Sequence, residues 1–142
     1  MIILFVCNAN ASRSQIAEAW FNILTAENDK FCACSAGIKP TEKITGKTLA
    51  VMNEVGIDIS DNFPKAVDYF GDTEFNYVVT LSDEAKENLP ELPGKPMLIH
   101  TPVDDPFEVI GTEDEMLETY RESRDSIRIL VESLIAQLSM GK

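Results

Sequence analysis

The chain has 142 residues, enough for one domain around one hydrophobic core. Its 44% hydrophobic and 25% charged residues make an ordinary globular balance, which excludes disorder over most of the length. A net charge of −12 repels nucleic acid and anionic membranes, so neither is an expected partner.

The same field works against an anionic substrate. Any anion site must therefore rest on local dipoles and a few placed cations. The opening Met1-Ile2-Ile3-Leu4-Phe5-Val6 is apolar but short and lacks a basic flank. It reads as neither a secretory signal nor a membrane span. Three cysteines without framework spacing point to free thiols and a cytoplasmic location.

Residues 2–6 form a continuous apolar run, the pattern of a strand buried on both faces. From Ser14 to about Ala26 the period becomes helical, with Ile16, Trp20, Ile23 and Leu24 on one side. Residues 31–35 read as a second strand, closed by Gly37 and Pro40. Leu49, Met52 and Val55 mark a helix that ends before Gly56. Residues 57–74 carry no clear period, apart from a short helix allowed after Pro64.

A third strand is predicted over 75–81, around Tyr77-Val78-Val79-Thr80. A short helix over 82–88 is stopped by Pro90, and 97–100 form a fourth strand. A loop rich in Pro and Asp fills 101–111. Thr112-Glu113-Asp114-Glu115 fits a capping box for a last helix running to about Ser139. Its apolar stripe is Leu117, Tyr120, Ile127, Val131, Leu134 and Leu138, read as lying across a sheet rather than forming a coiled-coil seam.

This alternation predicts an α/β fold: one domain over 1–142, a four-stranded parallel sheet flanked by helices on both faces. Such sheets bind ligands beyond the carboxyl ends of their strands. The turns after Val6, Leu81 and His100 lie at that end. Cys7, Ser82 and Asp105 are therefore expected near one another.

The turn after the first strand reads Cys7-Asn8-Ala9-Asn10-Ala11-Ser12-Arg13-Ser14. A tight loop from a buried strand into a helix turns successive N–H groups inward and aims a helix N-terminus at the same point. Arg13 adds a planar fork matching two oxygens of phosphate or arsenate. The donors that hold an oxyanion also stabilise negative charge on sulfur, so Cys7 is expected to act as a thiolate nucleophile. Ala9 and Ala11 let the backbone close around an anion, and Asn10 tolerates a left-handed conformation. Ser14 can donate to the sulfur or hold the loop. The competing reading is a structural cysteine with a surface arginine.

A substrate bound to sulfur must lose an oxygen group, which needs a proton. Asp104-Asp105-Pro106 lies at the same end of the sheet, and Pro106 restricts the backbone of Asp105. Asp105 is the expected general acid, against a bland turn with two solvated aspartates. Cys32 and Cys34 alternate with Ala33 and so share one strand face. They read as small apolar core residues, with Cys34 a possible visitor to Cys7 from the adjacent strand. As i, i+2 neighbours they are poorly placed to bridge each other. His100, the one histidine, reads as structural.

The loop and Asp105-Pro106 together resemble the low-molecular-weight protein tyrosine phosphatase superfamily, which includes arsenate reductases of the same fold. The resemblance covers nearly the whole chain. The typical loop reads Cys-x-Gly-Asn-x-Cys-Arg-Ser; here Ala9 and Ser12 replace the Gly and the second Cys. Several stretches look more like the reductase branch. They are Arg13-Ser14-Gln15-Ile16-Ala17-Glu18, Ser35-Ala36-Gly37-Ile38, Glu54-Val55-Gly56-Ile57-Asp58-Ile59-Ser60, Val78-Val79-Thr80-Leu81 and Tyr120-Arg121-Glu122-Ser123-Arg124-Asp125.

The resemblance implies a nucleophile at Cys7, an anion clamp at Arg13, an acid at Asp105 and an oxyanion cradle over Asn8, Ala9, Asn10, Ala11, Ser12, Arg13 and Ser14. It implies reduction of arsenate to arsenite, with phosphate-ester hydrolysis as the alternative. A non-catalytic oxyanion-binding module is a third reading. Thioredoxin-coupled members relay oxidation through two further cysteines, whose matching positions here are Ser82 and Leu89. That relay is absent, so no cofactor is expected and the reductant is an external thiol or a glutaredoxin- or thioredoxin-like partner. Some members hold potassium with residues matching Asn10, Glu18, Ser35, Phe63 and Lys65. Lys65 can supply that charge, so no metal is expected. Phe107 favours the phosphatase reading, because phosphatases of this superfamily place aromatics there.

Overall fold

A computed structural model describes residues 1–140. Four strands form one parallel sheet: β1 (Ile2–Cys7), β2 (Cys32–Gly37), β3 (Tyr77–Thr80) and β4 (Met97–His100). Their order is β2-β1-β3-β4. The apolar run of β1 is central, and its side chains alternate between two cores. Ile3, Phe5 and Cys7 join one cluster with Ile16, Trp20, Phe21, Ile127 and Val131. Leu4 and Val6 join the other with Ala36, Val67, Phe75, Val78 and Ala85.

The helices are α1 (Arg13–Leu24), α2 (Gly46–Glu54), α3 (Asp83–Asn88) and α4 (Glu113–Met140). Helices α1 and α4 cover the first face together: Trp20 Nε1 donates to the Arg124 carbonyl at 3.2 Å, and the Arg128 guanidinium stacks on the Trp20 ring. The expected capping box forms. Thr112 Oγ1 accepts from Glu115 N at 3.1 Å, and Glu115 Oε1 accepts from Thr112 N at 2.9 Å. Tyr120, Ile127, Val131, Leu134 and Leu138 are buried, so α4 lies across the sheet as its stripe requires.

Several boundaries differ from the sequence reading. Strand β3 is shorter than the expected 75–81 and α1 ends at Leu24 rather than near Ala26, while the short helix allowed after Pro64 is present as a 3-10 turn. Strand β2 runs on through Ala36 and Gly37, because those residues pair with Val6 and Cys7. Residues 57–74 hold one 3-10 turn, Val67–Phe70, and Ala66 bridges to Gly37. No helix among the described residues is long and apolar enough to cross a membrane.

Candidate active site

The loop after β1 is shaped by a segment the sequence did not single out. Residues 38–45 run alongside it and donate their N–H groups to its carbonyls. Ile38 N donates to Cys7 O (3.0 Å), Lys39 N to Asn8 O (2.8 Å), Thr41 N to Ala9 O (3.2 Å) and Thr45 N to Ala11 O (3.1 Å). A planar trans peptide points its N–H opposite to its C=O. With those carbonyls turned outward, the N–H groups of Asn8, Ala9, Asn10 and Ser12 turn inward and form a nest for an anion. Gly37 permits this contact: a Cβ there would meet Ala9 C, Asn10 N and Asn8 O, each at 2.8 Å.

Asn10 adopts φ 54°, the left-handed conformation expected of it. Its side chain is wholly buried, with both Oδ1 and Nδ2 hydrogen-bonded. Oδ1 accepts from Gln15 Nε2 and from the Lys65 backbone N, each at 3.0 Å. Nδ2 donates to Ser14 Oγ at 2.7 Å, and Ser14 Oγ lies 2.9 Å from Cys7 Sγ. Lys65 N can only donate, which fixes the orientation of the Asn10 amide. Ser14 then accepts from Asn10, and its own proton is free for the sulfur. The chain Lys65–Asn10–Ser14–Cys7 thus ends as a donor on Sγ. Buried Gln15 braces it, and also donates to Asn10 O and Phe63 O.

Arg13 begins α1 with a nearly buried side chain, 7% exposed. One arm donates to the Val103 carbonyl at 2.9 Å, and the other lies 3.5 Å from Asp105 Oδ2. Asp105 caps the 3-10 turn Pro106–Glu108 and accepts from Phe107 N at 3.0 Å through Oδ1. The expected convergence is therefore present. Cys7, Arg13 and Asp105 line one cavity of about 330 Å³ with Thr45, Phe107 and Tyr120. Ser82 is close by: it caps α3 and donates to Asn8 Oδ1 at 2.8 Å. Ser12 is buried and accepts from Thr48 Oγ1 at 2.8 Å, a tie from the loop to α2.

Three residues were invisible as site residues. Gly37 reads as a strand stop and part of a family-like stretch, Thr45 carries no signal, and Tyr120 reads as part of the helix stripe and of another such stretch. Nothing in the sequence separates Tyr120 from its core neighbours. Gly37, beside a strand end, was the usable signal.

The remaining cysteines lie outside the core in which they were expected. Cys32 is exposed and Cys34 half-buried, so they are not core residues. Strand β2 is a sheet edge, and its first residues have no neighbour on one side. Cys34 pairs with Leu4 and packs with the Leu4 and Val6 cluster, whereas Cys7 belongs to the opposite face. Three residues of strand, about 10 Å, and the sheet itself separate Cys34 from Cys7. It does not approach the nucleophile. Leu89 packs half-buried on the same second cluster.

At the corner matching the potassium site, Lys65 Nζ donates to Phe63 O at 2.9 Å, and Ser35 Oγ donates to Glu18 Oε1 at 2.6 Å. Burial raises the Glu18 carboxyl above its ordinary range, opposed by the Ser35 hydroxyl and the Lys65 charge. The chain's own ammonium thus serves this corner, which does not fit a resident cation. His100 bridges Thr80 Oγ1 (2.7 Å) and Asp83 Oδ1 (2.8 Å), a structural tie between β3, β4 and α3.

The chain is similar to known arsenate reductases and phosphatases over nearly its whole length. The chain is 36% identical over 131 residues to an arsenate reductase of Staphylococcus aureus (strain Newman), covering 92% of this chain and 93% of the relative. It is 32% identical over 126 residues to an arsenate reductase of Halalkalibacterium halodurans, covering 89% and 88%. An arsenate reductase solved in a phosphate binding state superposes with a TM-score of 0.77 at 29% identity, over 96% of this chain and 97% of that one. A low molecular weight protein tyrosine phosphatase from T. tengcongensis also superposes with a TM-score of 0.77, at 28% identity over 96% and 99%. The model of the low molecular weight phosphotyrosine protein phosphatase family matches residues 2–141, and the chain belongs to that family.

Proposed function

We propose that the protein reduces arsenate to arsenite, with Cys7 as nucleophile, Arg13 as clamp, Asp105 as general acid and an external thiol as reductant. The observation that carries an enzymatic reading is the facing pair across one cavity: a sulfur that receives a hydroxyl proton, and a carboxyl beside the arginine. Anion binding alone needs neither, which disfavours a purely regulatory module. The full-length reductase relatives favour arsenate.

In this reading the inward N–H groups and the Arg13 fork hold three arsenate oxygens. Cys7 sulfur bonds to arsenic, and the departing oxygen takes a proton from Asp105 and leaves as water. A second thiolate then attacks Cys7 sulfur. The S–As bond breaks with its electron pair going to arsenic, which falls from As(V) to As(III) and leaves as arsenite. Cys7 remains in a mixed disulfide, and another thiol releases it. Two thiols are oxidised to one disulfide, and arsenic gains two electrons.

The second thiol comes from outside the chain. Ser82 and Leu89 stand at the relay positions, and Cys34 lies across the sheet. A small thiol or a glutaredoxin- or thioredoxin-like protein fits, and its need suits a reducing cytoplasm. The cradle over Asn8, Ala9, Asn10, Ala11, Ser12, Arg13 and Ser14 acts through backbone donors, the arginine and the Ser14 hydroxyl.

Phosphate-ester hydrolysis is the second reading, favoured by Phe107 and Tyr120 in the cavity lining. Phe107 is 74% exposed and free to stack on an aryl group. One experiment separates the two. Arsenite release from arsenate that begins only when a thiol is added supports reduction. Nitrophenol release from its phosphate, with no thiol-dependent arsenite, makes the protein a phosphatase.

A further inference from the structure

Two of the three cysteines lie outside this site, and their arrangement is specific. Cys32 and Cys34 flank Ala33 on edge strand β2. Ala33 points into the first core, so both thiols leave from the other face. Cys32 is exposed, and Cys34 is half-buried beside it; both are free. The two side chains are close enough for Cys32 to act on the ionisation of Cys34.

Same-face neighbours on a strand stand about 6.6 Å apart, too far for the Cβ separation of about 3.8 Å in a disulfide. A single soft atom bonded to both sulfurs spans a wider gap. Bonds of about 2.3 Å from each sulfur to such an atom reach where one S–S bond of about 2 Å does not. The pair is thus poorly built for oxidation and well built for bridging.

The chemistry narrows the occupant. A four-coordinate ion such as zinc would want more ligands, and among the described residues no group of three or more His, Cys, Asp or Glu converges to hold one. Burial first, then Cys32 and Glu18, push the Cys34 thiol up to about 11, so at neutral pH it keeps its proton. A ligand that consumes thiols together with their protons suits this pair better than a cation that must displace them.

We infer that Cys32 and Cys34 form a second site, separate from the active centre, that binds trivalent arsenic taken up as arsenious acid. Two S–H groups condense with two As–OH groups. Two S–As bonds form, two waters leave, and arsenic stays As(III). The site lies near the amino end of β2, about 10 Å (Cys34) to 16 Å (Cys32) along the strand from the level of Cys7, which pairs with Gly37. That arsenite is the natural occupant rests on the reductase reading; the dithiol chemistry does not.

The test uses the full chain carrying Cys7→Ser, so the active-site thiol cannot contribute. The reduced protein is incubated with arsenite, and its intact mass and reactive thiols are measured. One arsenic per chain with loss of two titratable thiols is expected. Adding Cys32→Ser, at an exposed position that burdens folding little, should weaken retention at least tenfold; Cys34→Ser should do the same, with its fold checked by circular dichroism. No arsenic-dependent loss of thiols in the Cys7→Ser protein, or unchanged retention with Cys32→Ser, overturns the proposal. Arsenate is absent from this assay, so failure of the reductase reading leaves its outcome untouched.

Discussion

Cys7 and Cys34 lie on neighbouring strands of one sheet, yet they face opposite cores. Cys7 ends the central strand, where a nest of N–H groups, the start of α1, the Arg13 guanidinium and the Ser14 hydroxyl converge. Cys34 sits on an edge strand beside the Glu18 carboxylate, in surroundings that keep it protonated. The residue type is the same and the sheet is the same. What differs is which backbone dipoles and charges face the sulfur, and these decide its chemistry.

The contrast is broken most severely at Cys7. Cys7→Ser should remove arsenite formation and nitrophenyl phosphate hydrolysis by at least about 10⁴-fold, measured as initial rates with thiol in excess. Arg13→Lys keeps the charge but loses the fork, and should lower kcat/KM about 10³-fold, with weaker protection by phosphate. Asp105→Asn should lower kcat about 10²-fold. Its effect should grow with poorer leaving groups across a series of aryl phosphates, because only those need the proton.

Ser14→Ala removes the one side-chain donor on the sulfur among the described residues. A hydrogen bond to a charged group is worth about 1.5–3 kcal/mol, so a loss of at least about tenfold in kcat/KM is expected. The smallest effect concerns stability. Hydrogen bonds from Arg121, then Arg124, hold the Glu54 carboxyl down at about 2. A depressed carboxyl contributes stability above its ordinary range and loses it as pH falls from about 4.5 through about 2. Glu54→Gln should lower the thermal midpoint slightly at pH 7, and the difference should shrink across that window. A difference that persists at pH 2 would contradict the ion-pair account.

Much of this was legible in the chain. A run such as Ile2-Ile3-Leu4-Phe5-Val6 followed by a helical period dictates a strand-to-helix turn, and Cys7 and Arg13 sit where that turn must gather donors. Asp105 was legible because parallel strands deliver their loops to one end. The outer wall of the loop was not. Residues 38–45 hold it mainly by backbone groups, and backbone donors leave no mark on residue type. Alternation told that Cys32 and Cys34 share a face, but not which face. That depended on Leu4 pairing with Cys34, a register no single strand encodes. Tyr120 lay hidden for a similar reason: its stripe position required burial and did not say that it would line a cavity.

The central claim is that the loop concentrates enough donors on Cys7 to bind an oxyanion against its sulfur. Alkylation with iodoacetamide, with the labelled cysteines identified by peptide mass, tests it directly. Arsenate or phosphate should slow labelling of Cys7 strongly and leave labelling of exposed Cys32 unchanged. Equal labelling of Cys7 with and without either anion would contradict it.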